Sequence, residues 1–231
     1  MTYIKICGIT NVEDARCAVE AGADLLGFIL YPPSPRFVPP ERIGGIVRSV
    51  REAYGARAPH CVGVFVNEPV EHVRSVLDGT GLDLAQLSGD ESPSEVQSLS
   101  PRAFKAIRPQ TLDDATSALA AYCVAALDVP GLPQLLVDAY HPGQFGGTGL
   151  RTDTDVAQWL ASRVRLVLAG GLTPESVRLA VCQIWPWGVD VSSGVERAKG
   201  IKDHARVRAF VEAVRAADAE RPSRTVARAS A

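Results

Sequence analysis

The chain carries no excess of charge of either sign. Its 24 Lys and Arg face 26 Asp and Glu, a net charge of −2. That leaves no electrostatic case for nucleic acid or an anionic membrane surface as the main partner. Long hydrophobic runs are also missing. No uncharged apolar stretch approaches the ~18 residues that a membrane span requires. The start, Met1-Thr2-Tyr3-Ile4-Lys5, passes almost directly into an apolar segment, without the basic region and long apolar core of a secretory signal. A cytoplasmic protein is expected. The five cysteines, at 7, 17, 61, 123 and 182, form no CxxC pair, and their number is odd. Neither a disulfide framework nor a structural zinc site is expected from them. Wholesale disorder is excluded by what is present, 46% hydrophobic and 22% charged residues.

Short apolar runs alternate with amphipathic stretches along the whole chain. Strands are expected over 3–9, 24–30, 61–66, 82–87, 103–107, 134–137, 166–169 and 188–191. Helices are expected over 11–22, from 39, and over 69–77, 94–99, 112–121, 153–161, 174–182 and 203–216. A second apolar run, 123–129, competes for the sixth strand; the later run is preferred because Gly and Pro at 130–133 mark a break before it. Eight strand–helix pairs imply a parallel sheet closed into a single (β/α)8 barrel, a fold of about 250 residues. The competitor, a doubly wound open sheet, lacks its GxGxxG after the first strand. The barrel is expected to span 1–217, with 218–231, rich in Ala, Arg and Ser, as a flexible tail.

Barrel active sites lie at the carboxyl ends of the strands, so polar residues there are the candidates. Alternation along the first strand puts Lys5 and Cys7 on one side, with Ile4 and Ile6 on the other. Taken alone, Cys7 suits a packed structural thiol as well as a reactive one. Arg36 follows the three prolines of a stiff loop, where its guanidinium suits a carboxylate or phosphate or simply water. Asp138 ends the sixth strand and can be an acid/base group or a capping residue. The glycine-rich segment 141–149 after it reads as a loop that closes over ligand. Gly170-Gly171 after the seventh strand and Ser192-Ser193-Gly194 after the eighth stand where barrels bind phosphate through backbone N–H groups.

Together, the blocks 5–10 (KICGIT), 145–149 (FGGTG), 169–172 (AGGL) and 190–196 (DVSSGVE) closely resemble the phosphoribosylanthranilate isomerase family of tryptophan biosynthesis. The segments 63–67 (GVFVN) and 200–204 (GIKDH) fit as well, and the resemblance covers about residues 3–215. It implies a barrel without cofactor or metal, acting on a small phosphorylated substrate as a monomer or homodimer. It implies an Amadori rearrangement of N-(5-phosphoribosyl)anthranilate to 1-(2-carboxyphenylamino)-1-deoxyribulose 5-phosphate. By the family pattern Asp138 is the general acid and Cys7 the general base, with Lys5 beside it. The acid is expected to be partly buried. The base is expected either to have a lowered pKa or to release its proton on substrate binding. Arg36 would face the anthranilate carboxylate. Gly171, Ser192, Ser193 and Gly194 would hold the phosphate, and Asp190 would orient a substrate hydroxyl or tie the loops together. One departure stands out: Gln86-Leu87-Ser88-Gly89 replaces the family's frequent Gln-Leu-His-Gly. Two rival readings are a barrel that also isomerises the related histidine-pathway aminoaldose, opposed by Cys7 where such barrels carry Asp, and a non-catalytic phosphate-binding barrel, supported only by Ser88.

Overall fold

The structure, a computed structural model, describes residues 1–123, 131–138 and 151–220, with backbone only for 151–153. The run 123–129 that competes for the sixth strand lies almost wholly outside them, as do the glycine-rich loop with His141 and the chain beyond 220.

Eight strands close a parallel barrel: β1 (Tyr3–Cys7), β2 (Leu25–Ile29), β3 (His60–Phe65), β4 (Leu84–Leu87), β5 (Ala103–Ile107), β6 (Leu135–Asp138), β7 (Leu166–Ala169) and β8 (Gly188–Val191). Each strand pairs with the next, and β8 returns to β1. The helices between and after them are α1 (Val12–Ala21), α2 (Pro40–Tyr54), α3 (Val70–Thr80), α4 (Pro93–Ser98), α5 (Leu112–Tyr122), α6 (Arg151–Ala161), α7 (Val177–Ile184) and α8 (His204–Ala219). A small antiparallel pair, β9 (Glu196–Ala198) and β10 (Ile201–Lys202), sits between β8 and α8.

Local chemistry sets the helix ends. Asn11 caps α1 by accepting the Asp14 amide at 2.8 Å, and Gly22 stops it in the left-handed conformation at φ 102°. Ser92 with Glu95, and Thr111 with Asp114, close capping boxes on α4 and α5. Several boundaries differ from the sequence reading: β1 ends at Cys7, β4 starts at Leu84 and α3 runs to Thr80, and two more have a clear local cause or consequence. Residues 174–176 form a turn, with the Ser176 hydroxyl accepting the Thr173 amide at 3.0 Å, so α7 starts at Val177 rather than Pro174. The last helix runs to Ala219, three residues past its expected end, which brings Asp218 out of the expected tail.

The period-2 alternation of the strands builds two cores. Leu25, Val62, Leu84, Phe104, Leu136 and Val167 fill the barrel interior. Ile4, Ile6, Leu26, Phe28 and Phe65 face outward, against Val47, Val207 and Phe210 of the helices. Tyr3 points inward and stacks on Trp187 with ring centroids 4.1 Å apart. Its strand-mates Lys5 and Cys7 therefore point inward as well, higher in the barrel.

Asp218 ties the two ends of the described chain together. Its carboxylate accepts the Thr2 amide at 2.9 Å and the Thr2 hydroxyl at 2.7 Å, with Arg215 at 3.3 Å. Burial pushes the carboxyl up, but these hydrogen bonds outweigh it and hold Asp218 below its usual range. A depressed carboxylate stabilises the fold above the unfolded value of about 3.9 and loses that contribution as pH falls through the lower folded value. Asp218→Asn is therefore expected to lose about 1–3 kcal/mol at pH 7. In urea titrations the gap to the parent protein should narrow below about pH 4.

Candidate active site

The carboxyl ends of β4 to β8 open on a cleft of about 210 Å³. Asp138 from β6 and Asp190 from β8 stand in its wall. Gly171 after β7, and Ser192, Ser193 and Gly194 after β8, form one side. Gln86, Ser88 and Arg108, from the ends of β4 and β5, form the other. Three strands, β6, β7 and β8, thus deliver the expected acid and the expected phosphate loops to one space.

The loops have the geometry for close approach. Gly170 and Gly171 have φ of 96° and 62°, a conformation that strains any side-chain-bearing residue. A Cβ at Gly194 would lie 1.9 Å from the Leu172 carbonyl oxygen, so only glycine lets the two loops touch. The buried ammonium of Lys202 donates to the Ser192 carbonyl at 3.1 Å and pins the turn from below. The Ser192 hydroxyl is buried and has no partner.

Beside the cleft, Lys5 and Asp190 are cross-strand neighbours, with Nζ 3.1 Å from Oδ1. Both are buried: the side chains are 1% and 10% exposed. Burial alone would lower Lys5, but the attraction of Asp190 and Cys7 wins and holds the ammonium above its ordinary value. Burial keeps Asp190 above the ordinary carboxylate range even though Lys5 pulls it down. This gives Asp190 a partner on β1, a structural tie across the barrel seam.

Cys7 lies next to this pair. Gly27 of β2 is its register partner, and a Cβ there would come within 2.7 Å of the Cys7 sulfur. The glycine is what makes room for an inward thiol. Burial pushes the thiol above its ordinary value; Lys5 and Lys202 pull it back and Asp190 adds to the rise. The expectation of a lowered thiol is thus not met in the ligand-free protein, because desolvation outweighs two nearby ammonium groups. Asp138 departs in the opposite sense. Its side chain is 42% exposed, with Arg108 at 3.5 Å.

Arg36 also differs from expectation. Its Nε and Nη2 each donate to Glu196 at 2.7 Å, a bidentate pair, so its fork is already filled by protein. Glu196 takes a further bond from Lys202 at 3.1 Å. Burial raises Glu196, yet the bonds from Arg36 and Lys202 prevail and hold it below the carboxylate range. Burial holds Lys202 below the ordinary ammonium range, despite Glu196. Gly8, at φ 75°, lies under this group: a Cβ would meet Arg36 Cδ and Ser192 Oγ, each at 2.8 Å. Glu196, Lys202 and Gln86 were given no role from sequence. For Gln86 the signal was there, since alternation from Leu84 turns it inward. For the other two it was only that charged residues flank the turn after β8.

Among the described residues, no group of three or more His, Cys, Asp or Glu is placed to hold a metal ion, and no helix is long and apolar enough to cross a membrane.

Fold and site define a class: a (β/α)8 barrel with close-packed glycine- and serine-rich turns after β7 and β8, and ionisable groups on β1 and β6 at its mouth. Comparison with known proteins narrows the class. The profile of the family described as N-(5'phosphoribosyl)anthranilate (PRA) isomerase matches residues 4–213. A relative from Roseiflexus castenholzii named N-(5'-phosphoribosyl)anthranilate isomerase is 46% identical over 217 residues, covering 93% of this chain and 98% of that one. Its counterpart in Pelobacter propionicus is 41% identical, covering 91% and 94%. The crystal structure of phosphoribosyl anthranilate isomerase from Thermotoga maritima superposes with a TM-score of 0.79 at 36% identity, covering 94% of this chain and all of that one. A further solved structure of a phosphoribosyl anthranilate isomerase, in complex with reduced 1-(o-carboxyphenylamino)-1-deoxyribulose 5-phosphate, matches with a TM-score of 0.78 at 35% identity. The chain belongs to the N-(5'-phosphoribosyl)anthranilate isomerase family.

The position of Cys7 yields a direct test. Peptide-resolved alkylation should show Cys7 reacting slowly at neutral pH, its rate still rising above pH 9, the ordinary thiol value. Lys5→Met should shift that profile further upward, since the nearest ammonium is gone.

Proposed function

We propose that Cys7 and Asp138 are the base and the acid of an aldose–ketose isomerisation, the Amadori rearrangement of N-(5-phosphoribosyl)anthranilate in tryptophan biosynthesis. The observation that carries the assignment is the meeting of Asp138 with Asp190, Gly171 and the 192–194 turn on one cleft, with Cys7 beside Asp190. The phosphate binds the backbone of Gly171, Ser193 and Gly194, with the free Ser192 hydroxyl available to it. Asp138 then donates a proton to the furanose oxygen as the C1–O bond breaks, which leaves an iminium ion. Cys7 removes the C2 proton, and the resulting enolamine tautomerises to the ketone. The net change moves the C2 hydrogen to C1 and the C2-hydroxyl proton to the former ring oxygen, so acid and base are restored and nothing is consumed.

The thiol must lose its proton for this step. The Lys5 and Lys202 ammonium groups receive the thiolate charge, which offsets part of the burial cost. Arg36 meets the anthranilate carboxylate through Nη1, because Glu196 holds the other edge of its fork. Asp190 keeps Lys5 charged and in place. The enzyme works without cofactor, as a monomer or homodimer. The reading extends to a cytoplasmic location, supported by five cysteines that are all present as free thiols.

Fluorescence decay of freshly generated substrate tests the assignment. Cys7→Ser and Asp138→Asn should each lower kcat by about 10²- to 10⁴-fold. Each should bind the reduced product analogue within about threefold of the parent, because neither group contributes mainly to ground-state binding. A variant that turns over at the parent rate removes its residue from the mechanism.

A further inference from the structure

The end of β4 contains a side chain the chemistry above does not use. Gln86 is 6% exposed and stands in the wall of the cleft that holds Asp138 and Asp190. Its amide nitrogen donates to the Ser88 hydroxyl at 3.2 Å. Its amide oxygen is buried and has no hydrogen-bond partner. A buried polar atom without a partner carries an uncompensated desolvation cost, which a hydrogen-bond donor on a ligand offsets. The terminal torsion of glutamine is soft, so the oxygen turns into the cleft with little strain.

The surroundings hold this amide in place from behind. Lys105, buried on β5, donates to the Leu87 carbonyl at 3.2 Å and the Gly89 carbonyl at 2.6 Å. It also pairs with the buried Glu91 at 3.0 Å, and Glu91 accepts the Gly89 amide at 2.9 Å and the Asn67 amide at 2.8 Å. This clamp fixes the backbone on both sides of Ser88. Ser88 has too short a side chain to reach across the cleft, and its hydroxyl is engaged with Gln86. The polar contact to ligand from this strand therefore falls to Gln86.

We infer that Gln86 is a substrate-positioning residue whose amide oxygen accepts a hydrogen bond from a hydroxyl of the phosphoribosyl group. The atom accepts and cannot donate, so it excludes the phosphate and carboxylate ends of the substrate and selects a donor. The sugar hydroxyls lie between the phosphate, held after β7 and β8, and the aromatic end. That is where a residue facing Asp138 and Asp190 across the cleft meets them. Gln86 moves no proton; it orients the sugar so that C2 and the ring oxygen face their partners. The inference rests on the isomerase reading of the site.

The test uses Gln86→Met, which keeps length and volume without an acceptor, and three probes. For the reduced product analogue, Gln86→Met should bind about 10- to 100-fold more weakly, and KM should rise more than kcat falls. For inorganic phosphate, binding should be unchanged, which shows that the loops are intact. For an analogue with a plain phosphopentyl chain in place of the sugar, parent and variant should bind equally. Equal binding of the product analogue by parent and variant overturns the inference. So does a loss that persists with the hydroxyl-free analogue, which would make the anilinic N–H the partner. A parallel loss of phosphate binding also overturns it, since the role would then be structural. Failure of the parent protein itself to bind the product analogue would instead overturn the isomerase reading, and this inference with it.

Discussion

The seam where β8 returns to β1 carries the site. Lys5 and Asp190 meet there as register neighbours, buried and 3.1 Å apart. Removing one member of such a pair leaves an unpaired charge in a medium that cannot solvate it, a loss of about 3–5 kcal/mol. The pair therefore sets the alignment of the first strand against the last. That alignment places Cys7 one inward step above Lys5 and brings the 192–194 turn over the barrel mouth. The packed layer of Leu25, Val62, Phe104 and Leu136 beneath gives these polar groups a rigid floor.

The mouth is organised as three satisfied charge groups around a few unsatisfied polar atoms. Lys5–Asp190, Arg36–Glu196–Lys202 and Lys105–Glu91 are each closed by short contacts within the protein. They hold the backbone of β1, the turn after β8 and the turn after β4. What they leave open is the Ser192 hydroxyl, the Gln86 amide oxygen and an exposed Asp138. Stabilising charge is thus largely internal, and the groups left open are neutral acceptors and hydroxyls, one carboxyl, the Nη1 edge of Arg36 and the loop backbone. The Cys7 thiol sits above its ordinary value because burial outweighs Lys5 and Lys202.

The fold was legible because period and punctuation agree. Ile4 and Ile6 alternate with Lys5 and Cys7, and the capping residues Asn11 and Gly22 stand where the first helix starts and stops. The misses have physical causes, one local and two long-range. Pro174 opens a turn rather than a helix because Ser176 hydrogen-bonds back to Thr173. Asp218 sits in an alanine- and arginine-rich stretch that resembles a tail, yet it anchors Thr2, 216 residues away in sequence. Among the site residues, Asp138, Asp190, Gly171 and the 192–194 turn are read correctly as strand-end groups, and they share one cleft. The pairing of Arg36 with Glu196 was not legible, since it joins residues 160 apart along the chain and leaves no periodic trace.

Local pattern along the chain set the eightfold alternation, the inward side of each strand and the glycines that permit close loops. These depend on neighbours two to four residues apart, where side-chain direction and backbone freedom are local properties. Tertiary structure alone decided which charges cancel, how far the thiol is desolvated, and which polar atoms remain without a partner. Those outcomes depend on distances between strands and on exclusion of water, and both arise only when the barrel closes.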